Sequence, residues 1–372
     1  MERYPAYDPP EYVNWSSEPE LVREFRERIE KDRERSRTVR ALDRVALLEI
    51  YRDLLRTRLH DIALKRWVRQ GVISKAWLGT GEEAVTVGSV FALDPDRDVV
   101  IPMIRNAGAC HMMGMPLPDL FRGYLATADS PNGGRDLHIG DPARGVVQPI
   151  SHMGTNVTIA AGLALGFRNR DEKRVAVTWV GDGATRTAEC HEGVNFAAVQ
   201  RLPAIFVLQN NQVALGTRVD QHSAGPMEAW ASMYGIPDLT CDGNNVLDVY
   251  AATRTAAERC REGEGPVAVT ARTFRMGGHA THDEREARET FPDELFREWG
   301  RRDPIGLFEE HLKECGVDGG LLERIEERVS SEIDDASEEA RRSIEDEPEP
   351  EYALYEGFSE GDPRVSLSKR PI

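Results

Sequence analysis

The sequence predicts a doubly wound α/β domain with a mainly parallel sheet, a helical arm before it and a helical appendage after it. Three observations carry that expectation. Arg174–Val180 is a mostly apolar run of strand length. The chain then turns at Gly181-Asp182-Gly183, continues as a helical stretch and returns as the apolar run Ala204–Leu208. Strand, helix and strand within roughly 30 residues make a parallel βαβ unit. Asp98–Pro102 and Pro266–Phe274 are further strand-length runs. Both ends of the chain carry charged segments with apolar residues at helical spacing, which describes helices that cover a domain rather than strands within it.

In chain order, residues 1–18 are rich in Pro and Tyr and are expected to be extended, and Pro19–Thr38 reads as a charged helix. Leu42, Val45, Leu48, Tyr51 and Leu55 recur at helical spacing within Val39–Gln70, predicting a long helix packed on the domain or on a partner. Gly79–Ala84 leads into a helix ending near Phe91, with Glu82 and Glu83 read as acids near its positive end. Residues 130–149 are rich in Gly, Pro and Asp and predict a long irregular segment of the kind that is usually functional. Ile159–Gly166 is a helix of small residues, able to approach a neighbour closely within this chain or in another. Ile236–Cys241 reads as a strand and Val246–Arg261 as an amphipathic helix. Beyond Asp303 the pattern is helical, with Ile325, Val329, Ile333, Ala336, Ala340 and Ile344 on one face. The expected division is an arm over 1–40, the α/β domain over 41–302, C-terminal helices over 303–346 and a Glu/Pro-rich tail over 347–372.

Charge narrows the function. Lys and Arg number 47 against 64 Asp and Glu, a formal net charge of −17. Such a surface argues against nucleic acid or an anionic membrane as partner. The five cysteines show no CxxC or metal spacing and read as reduced thiols in a cytoplasm. No apolar run is long enough to span a bilayer.

In a parallel βαβ unit both strands end at one edge of the sheet, so Asp182 and Asn211 project into the crevice where such folds bind ligands. A carboxylate and an amide oxygen are hard donors that suit Mg²⁺ and leave positions for phosphate oxygens. Gly183 permits a phosphate to approach the backbone, and the following helix offers its positive end.

The stretch from Gly181-Asp182-Gly183 to Asn210-Asn211 resembles the thiamine-diphosphate motif, and its inner text resembles the α subunit of the E1 component of 2-oxo acid dehydrogenase complexes. The similarity runs over about residues 63–308 and is nearest to the branched-chain type. It implies the thiamine-diphosphate-binding fold and the oxidative decarboxylation of a 2-oxo acid (pyruvate or a branched-chain one), with acyl transfer to a lipoyl group of E2. It implies thiamine diphosphate and Mg²⁺ as cofactors, the latter held by Asp182, Asn211 and the Val213 carbonyl. Gly183, Ala184 and Arg105 would hold the diphosphate, although Ile104 replaces the family's Tyr before that Arg. Ser151 and Met153 match backbone contacts to the aminopyrimidine, and the Met153 side chain would either wedge under the cofactor or fill core space. His279, in Arg275–Glu284, matches a catalytic His that lies near the diphosphate, assists acyl transfer and precedes a mobile loop. An E1 β subunit, in an α₂β₂ assembly, would supply the Glu that activates the cofactor.

Three rivals stand beside this reading. Acetoin dehydrogenase is built on the same subunit type. An NAD-binding oxidoreductase would need Gly-x-Gly-x-x-Gly, whereas Gly181-Asp182-Gly183-Ala184-Thr185-Arg186 lacks the third Gly. A non-catalytic metal-bound scaffold subunit would keep Asp182 and Asn211 without the chemistry.

Overall fold

The computed structural model describes residues 3–4, 14–15 and 17–351. The expectations for most of residues 1–18 and for the tail from 352 onward lie outside the described residues.

The helical arm is broken once. Helix α1 (Pro19–Glu30) ends before Asp32, whose carboxylate accepts from the backbone N–H groups of Glu34 and Arg35 and so starts α2 (Arg33–Arg40). This cap splits the single helix expected over Pro19–Thr38. Helix α3 (Arg44–Arg69) is capped by Asp43, buries Tyr51 and Leu55, and leaves Val45 largely exposed near its start. Helix α4 (Glu83–Phe91) is buried along nearly its whole length.

Five parallel strands form the sheet: β1 (Val99–Ile101), β2 (Ala176–Gly181), β3 (Ala204–Asn210), β4 (Cys241–Asp242) and β5 (Val267–Arg272), in spatial order β1-β2-β3-β5-β4. The strand expected over Ile236–Cys241 is reduced to its last residue and Asp242, with one bridge from Asp238 to Ala268. Pairing runs from Ala176 opposite Ala204 to Gly181 opposite Gln209, so β2 and β3 end together.

Alternation along the strands sends apolar side chains to both faces. Val177, Trp179, Ile205, Val207, Val267 and Val269 meet α4 and α7 (Val246–Arg261), whereas Ala176, Val180, Phe206, Leu208 and Ala268 meet the other pair of helices. That pair is α5 (Thr155–Asn169) and α6 (Ala188–Gln200). Covered on both faces, the sheet is doubly wound. The small residues of α5 serve this contact: Ala160, Ala161 and Ala164 are buried, and a Cβ on Gly193 of α6 would lie 2.8 Å from Val157. Gly162 and Gly166, on another side of α5, have open space before them.

Helices α8 (Pro304–Glu314) and α9 (Gly319–Arg341) pack with α1 and α3 around a second core. Val329, Ile333, Ala336 and Ala340 are buried there, while Ile344 is exposed. Among the described residues no helix is long and apolar enough to cross a membrane.

Candidate active site

The carboxyl ends of β1, β2, β3 and β5 converge, and each delivers one of the expected residues or its neighbour. Asp182 follows β2, is 1% exposed, and accepts at Oδ2 from Nε2 of His222 at 2.9 Å. Burial holds its carboxyl above the usual range, and the His222 bond opposes that shift. Gly183 and Ala184 form a 3₁₀ turn, Gly183–Arg186, that stands between the acidic turn and α6. The helix therefore begins only after its cap Thr187. Gly183 is required by close approach, since a Cβ there would lie 2.6 Å from the Ala214 side chain.

Asn211, directly after β3, donates through Nδ2 to Glu82 Oε1 at 2.9 Å, and its Oδ1 accepts from the Val213 N–H at 3.2 Å. The Val213 carbonyl accepts a long bond, 3.3 Å, from Arg275, which follows β5. Arg275 also donates to the carbonyls of Leu215 and Gly277.

Arg105, beyond β1, donates to the carbonyls of Leu78 and His279, each at 2.7 Å, and lies 3.1 Å from His279 Nδ1. Two residues expected to work together are thus in contact across 174 positions of sequence. Burial, then Arg105 and Arg275, push the His279 imidazole down to about 4, which keeps it neutral near pH 7. Burial also lowers both arginines, Arg275 to about 10, with Arg105 adding to the effect. The segment after His279, expected as a loop, folds into a 3₁₀ turn and the short helix Glu284–Thr290. It is tied down by Lys65–Glu284 at 2.7 Å and by Thr281 N–H to the Ala76 carbonyl.

Ser151 and Met153 stand apart from this cluster. Both are exposed; Ser151 Oγ lies 3.4 Å from His138 Nε2, and Met153 is 64% exposed, so it does not fill the core. Among the described residues neither is hydrogen-bonded to Asp182, Asn211, Arg105 or His279.

Three site residues escaped sequence reasoning or were undervalued. Glu82 is not a surface acid at a helix start but a buried acceptor for both Gln209 and Asn211. Arg275 supports the Val213–Leu215 turn as well as preceding His279. His222 carried no local signal at all, because only the fold of residues 213–222 brings it onto Asp182.

The donor set fits a metal diphosphate. Arg105 and Arg275 are 8% and 3% exposed, and among the described residues their hydrogen-bond partners are carbonyls and one imidazole. Buried charge is costly unless paired. Two guanidiniums that make no ion pair with a carboxylate among the described residues, beside a buried carboxylate and an amide oxygen, suit a ligand carrying both phosphate and cation.

The chain is thus a parallel, doubly wound α/β protein whose strand ends gather buried charged and amide side chains. A family model described as dehydrogenase E1 component matches residues 51–350, and the chain belongs to that family as an alpha subunit of the pyruvate or 2-oxoisovalerate type. It is 34% identical over 313 residues to the 2-oxoisovalerate dehydrogenase subunit alpha of Bacillus subtilis (strain 168), covering 82% of this chain and 93% of that one. It is also 34% identical over 305 residues to the pyruvate dehydrogenase E1 component subunit alpha of the same organism, with 80% and 76% covered. A pyruvate dehydrogenase E1 component subunit alpha from Staphylococcus epidermidis is 33% identical over 302 residues, with 79% and 78% covered.

Proposed function

We propose that this E1 alpha chain provides the diphosphate-and-metal half of a thiamine diphosphate site that an E1 beta chain completes. The single observation that supports this most is the pair of buried guanidiniums, Arg105 and Arg275, with no carboxylate hydrogen-bonded to either among the described residues, at the strand ends beside Asp182 and Asn211. Asp182 and the Asn211 side-chain oxygen would hold Mg²⁺. Val213 would add its carbonyl, which already accepts from Arg275 at long range. Arg105 and the backbone of Gly183 and Ala184 would hold the diphosphate. Ser151 and Met153 are exposed, which leaves them open to contact with a second subunit.

When bound, the cofactor supplies the electron sink for decarboxylation of a 2-oxo acid. The chain's own residues bind and orient. Arg105 fixes the imidazole of His279 through the backbone carbonyl and Nδ1, which leaves a neutral imidazole able to pass a proton during acyl transfer to the lipoyl group of E2. The substrate is pyruvate or a branched-chain 2-oxo acid, and the assembly α₂β₂. The β chain would supply the Glu that activates the cofactor.

The test is co-expression with the candidate β subunit, followed by a panel of pyruvate, branched-chain 2-oxo acids, 2-oxoglutarate and acetoin with an artificial electron acceptor. Turnover of a 2-oxo acid that depends on thiamine diphosphate, Mg²⁺ and the β chain is expected. Full turnover by the alpha chain alone would overturn the shared-site reading, and acetoin as the sole substrate would overturn the choice of substrate.

A further inference from the structure

Glu82 sits at the head of α4, 1% exposed, far in sequence from the strand-end motif. Its Oε1 accepts from two side-chain amides, Gln209 Nε2 at 2.6 Å and Asn211 Nδ2 at 2.9 Å. Gln209 is held in turn from its other end. Its Oε1 accepts from Asn106 Nδ2 at 2.9 Å, and Asn106 Nδ2 also donates to Thr86 Oγ1 at 2.7 Å. Glu82, Asn106, Thr86 and Gln209 thus form a buried polar chain that ends on the Asn211 amide. Buried networks of this kind fix orientation because each member has one arrangement that satisfies its neighbours.

An Asn side chain can present either its oxygen or its nitrogen to a given place, and only the oxygen ligates a hard cation. An acceptor at Nδ2 removes that ambiguity. With Nδ2 on Glu82, Oδ1 must point the other way, toward the turn where the Val213 N–H already donates to it. Residues standing behind metal ligands commonly act in this manner, and their loss costs about 10- to 100-fold in metal affinity.

We infer that Glu82 is a positioning residue for the metal site: by accepting from Asn211 Nδ2 it turns the Asn211 oxygen toward the cation. This rests on the assignment of Asp182 and Asn211 to the metal. Glu82 itself touches neither metal nor substrate in this arrangement. Its second oxygen, Oε2, is buried without a partner among the described residues, so the side chain's hydrogen bonds run through Oε1.

The test uses the complex with the β subunit and reads the Mg²⁺ concentration at which thiamine diphosphate binding, followed by calorimetry, is half-saturated. Glu82→Leu, which removes the acceptor, should raise that concentration at least about tenfold. Glu82→Gln keeps an acceptor oxygen of the same reach, and should stay within about threefold of the parent. A purely structural role would lower the melting temperature of the unliganded complex without moving the Mg²⁺ requirement. An unchanged Mg²⁺ requirement in folded Glu82→Leu overturns the proposal. So does a Glu82→Gln complex as impaired as Glu82→Leu, since the charge and not the acceptor would then matter. If Glu82→Leu does not assemble, Glu82→Asp decides, because it keeps the charge and withdraws the acceptor by one methylene. A rise of about threefold or more supports the proposal, and no rise defeats it. Asp182→Ala separates the two layers of inference. Loss of metal-dependent binding there, with normal binding in Glu82→Leu, rejects Glu82 alone, whereas normal binding in Asp182→Ala rejects the metal assignment beneath it.

Discussion

Two buried arginines, Arg58 before the head of α4 in the chain and Arg105 beyond the end of α4, behave in opposite ways. Arg58, on α3, is 1% exposed and is gripped by Glu83 and Asp303, at 2.8 Å from Glu83 Oε2 and 2.9 Å from Asp303 Oδ2. Burial raises the Glu83 carboxyl above its ordinary range, against the pull of Arg58. Arg105 is nearly as buried, yet its bonds go to two carbonyls and an imidazole. The adjacent acids divide along the same line: Glu83 pairs with Arg58, and Glu82 turns toward Asn211. In the first site the positive charge is answered inside the chain and ties α3, α4 and the start of α8 together. In the second, no carboxylate among the described residues is hydrogen-bonded to the guanidinium, and Glu82 and Asp61 act on it only at longer range.

This contrast is sharpest in stability. Arg58→Met would strand two buried carboxylates, and breaking a buried ion pair from one side costs about 3–5 kcal/mol. Denaturant unfolding should show that loss. Arg105→Met leaves two buried carbonyls without their donor but strands no carboxylate hydrogen-bonded to it, so unfolding of the unliganded chain should lose less, about 1–3 kcal/mol. If both substitutions destabilise alike, the distinction between an answered and an unanswered arginine fails.

Binding should reverse the ranking. With Arg105 on the diphosphate as proposed, Arg105→Met would remove charge-assisted bonds to phosphate, each worth about 1.5–3 kcal/mol. Thiamine diphosphate affinity in the complex, measured by calorimetry, should therefore fall by about 10- to 100-fold. A folded Arg58→Met complex should bind within a few-fold of the parent. Equal affinity in the Arg105 variant would remove that residue from the diphosphate site.

The same contrast explains what could be read from sequence. The βαβ unit was legible because strand length, a Gly-Asp-Gly turn and helical spacing are local patterns, and β2 and β3 pair as they imply. Asp182 and Asn211 followed from it, since both sit at the ends of those strands. Arg105 and His279 were reachable through the family resemblance, but not their mutual contact, which joins two strand ends far apart in the chain. Glu82 was misjudged for a physical reason. An acid at a helix start has a sufficient local explanation, and its partners lie 127 and 129 residues away. Val45 shows the converse error: helical periodicity put it on the packed face, yet the first turn of α3 projects past the core and leaves it 63% exposed.

His279 tests whether the unanswered site works as a unit. His279→Ala should slow acylation of a lipoyl domain by about tenfold or more while decarboxylation with an artificial acceptor falls less, in keeping with the 10²–10⁴-fold range of general acid–base effects. Near-parental rates in both assays would leave His279 without a catalytic part.

The smallest effect is a fraction of a proton. Free His279 sits near 4 because of burial and the two guanidiniums, Arg105 before Arg275. A diphosphate bound to those guanidiniums offsets their field, so the imidazole should return toward its ordinary value of about 6.5. Between those two values the free site is neutral and the liganded site is partly protonated, so binding should take up protons and affinity should rise as pH falls through that window. Calorimetry at pH 6 in two buffers of different ionisation enthalpy measures the uptake. Because the phosphate itself also titrates in this range, the informative quantity is the difference between the parent complex and His279→Asn, which cannot titrate. The parent should take up more protons at pH 6, and the difference should vanish by pH 8. An identical proton count at pH 6 would mean that the ligand does not approach the Arg105–His279 pair, and the two buried arginine sites would then need another explanation for why one carries its counter-charge and the other does not.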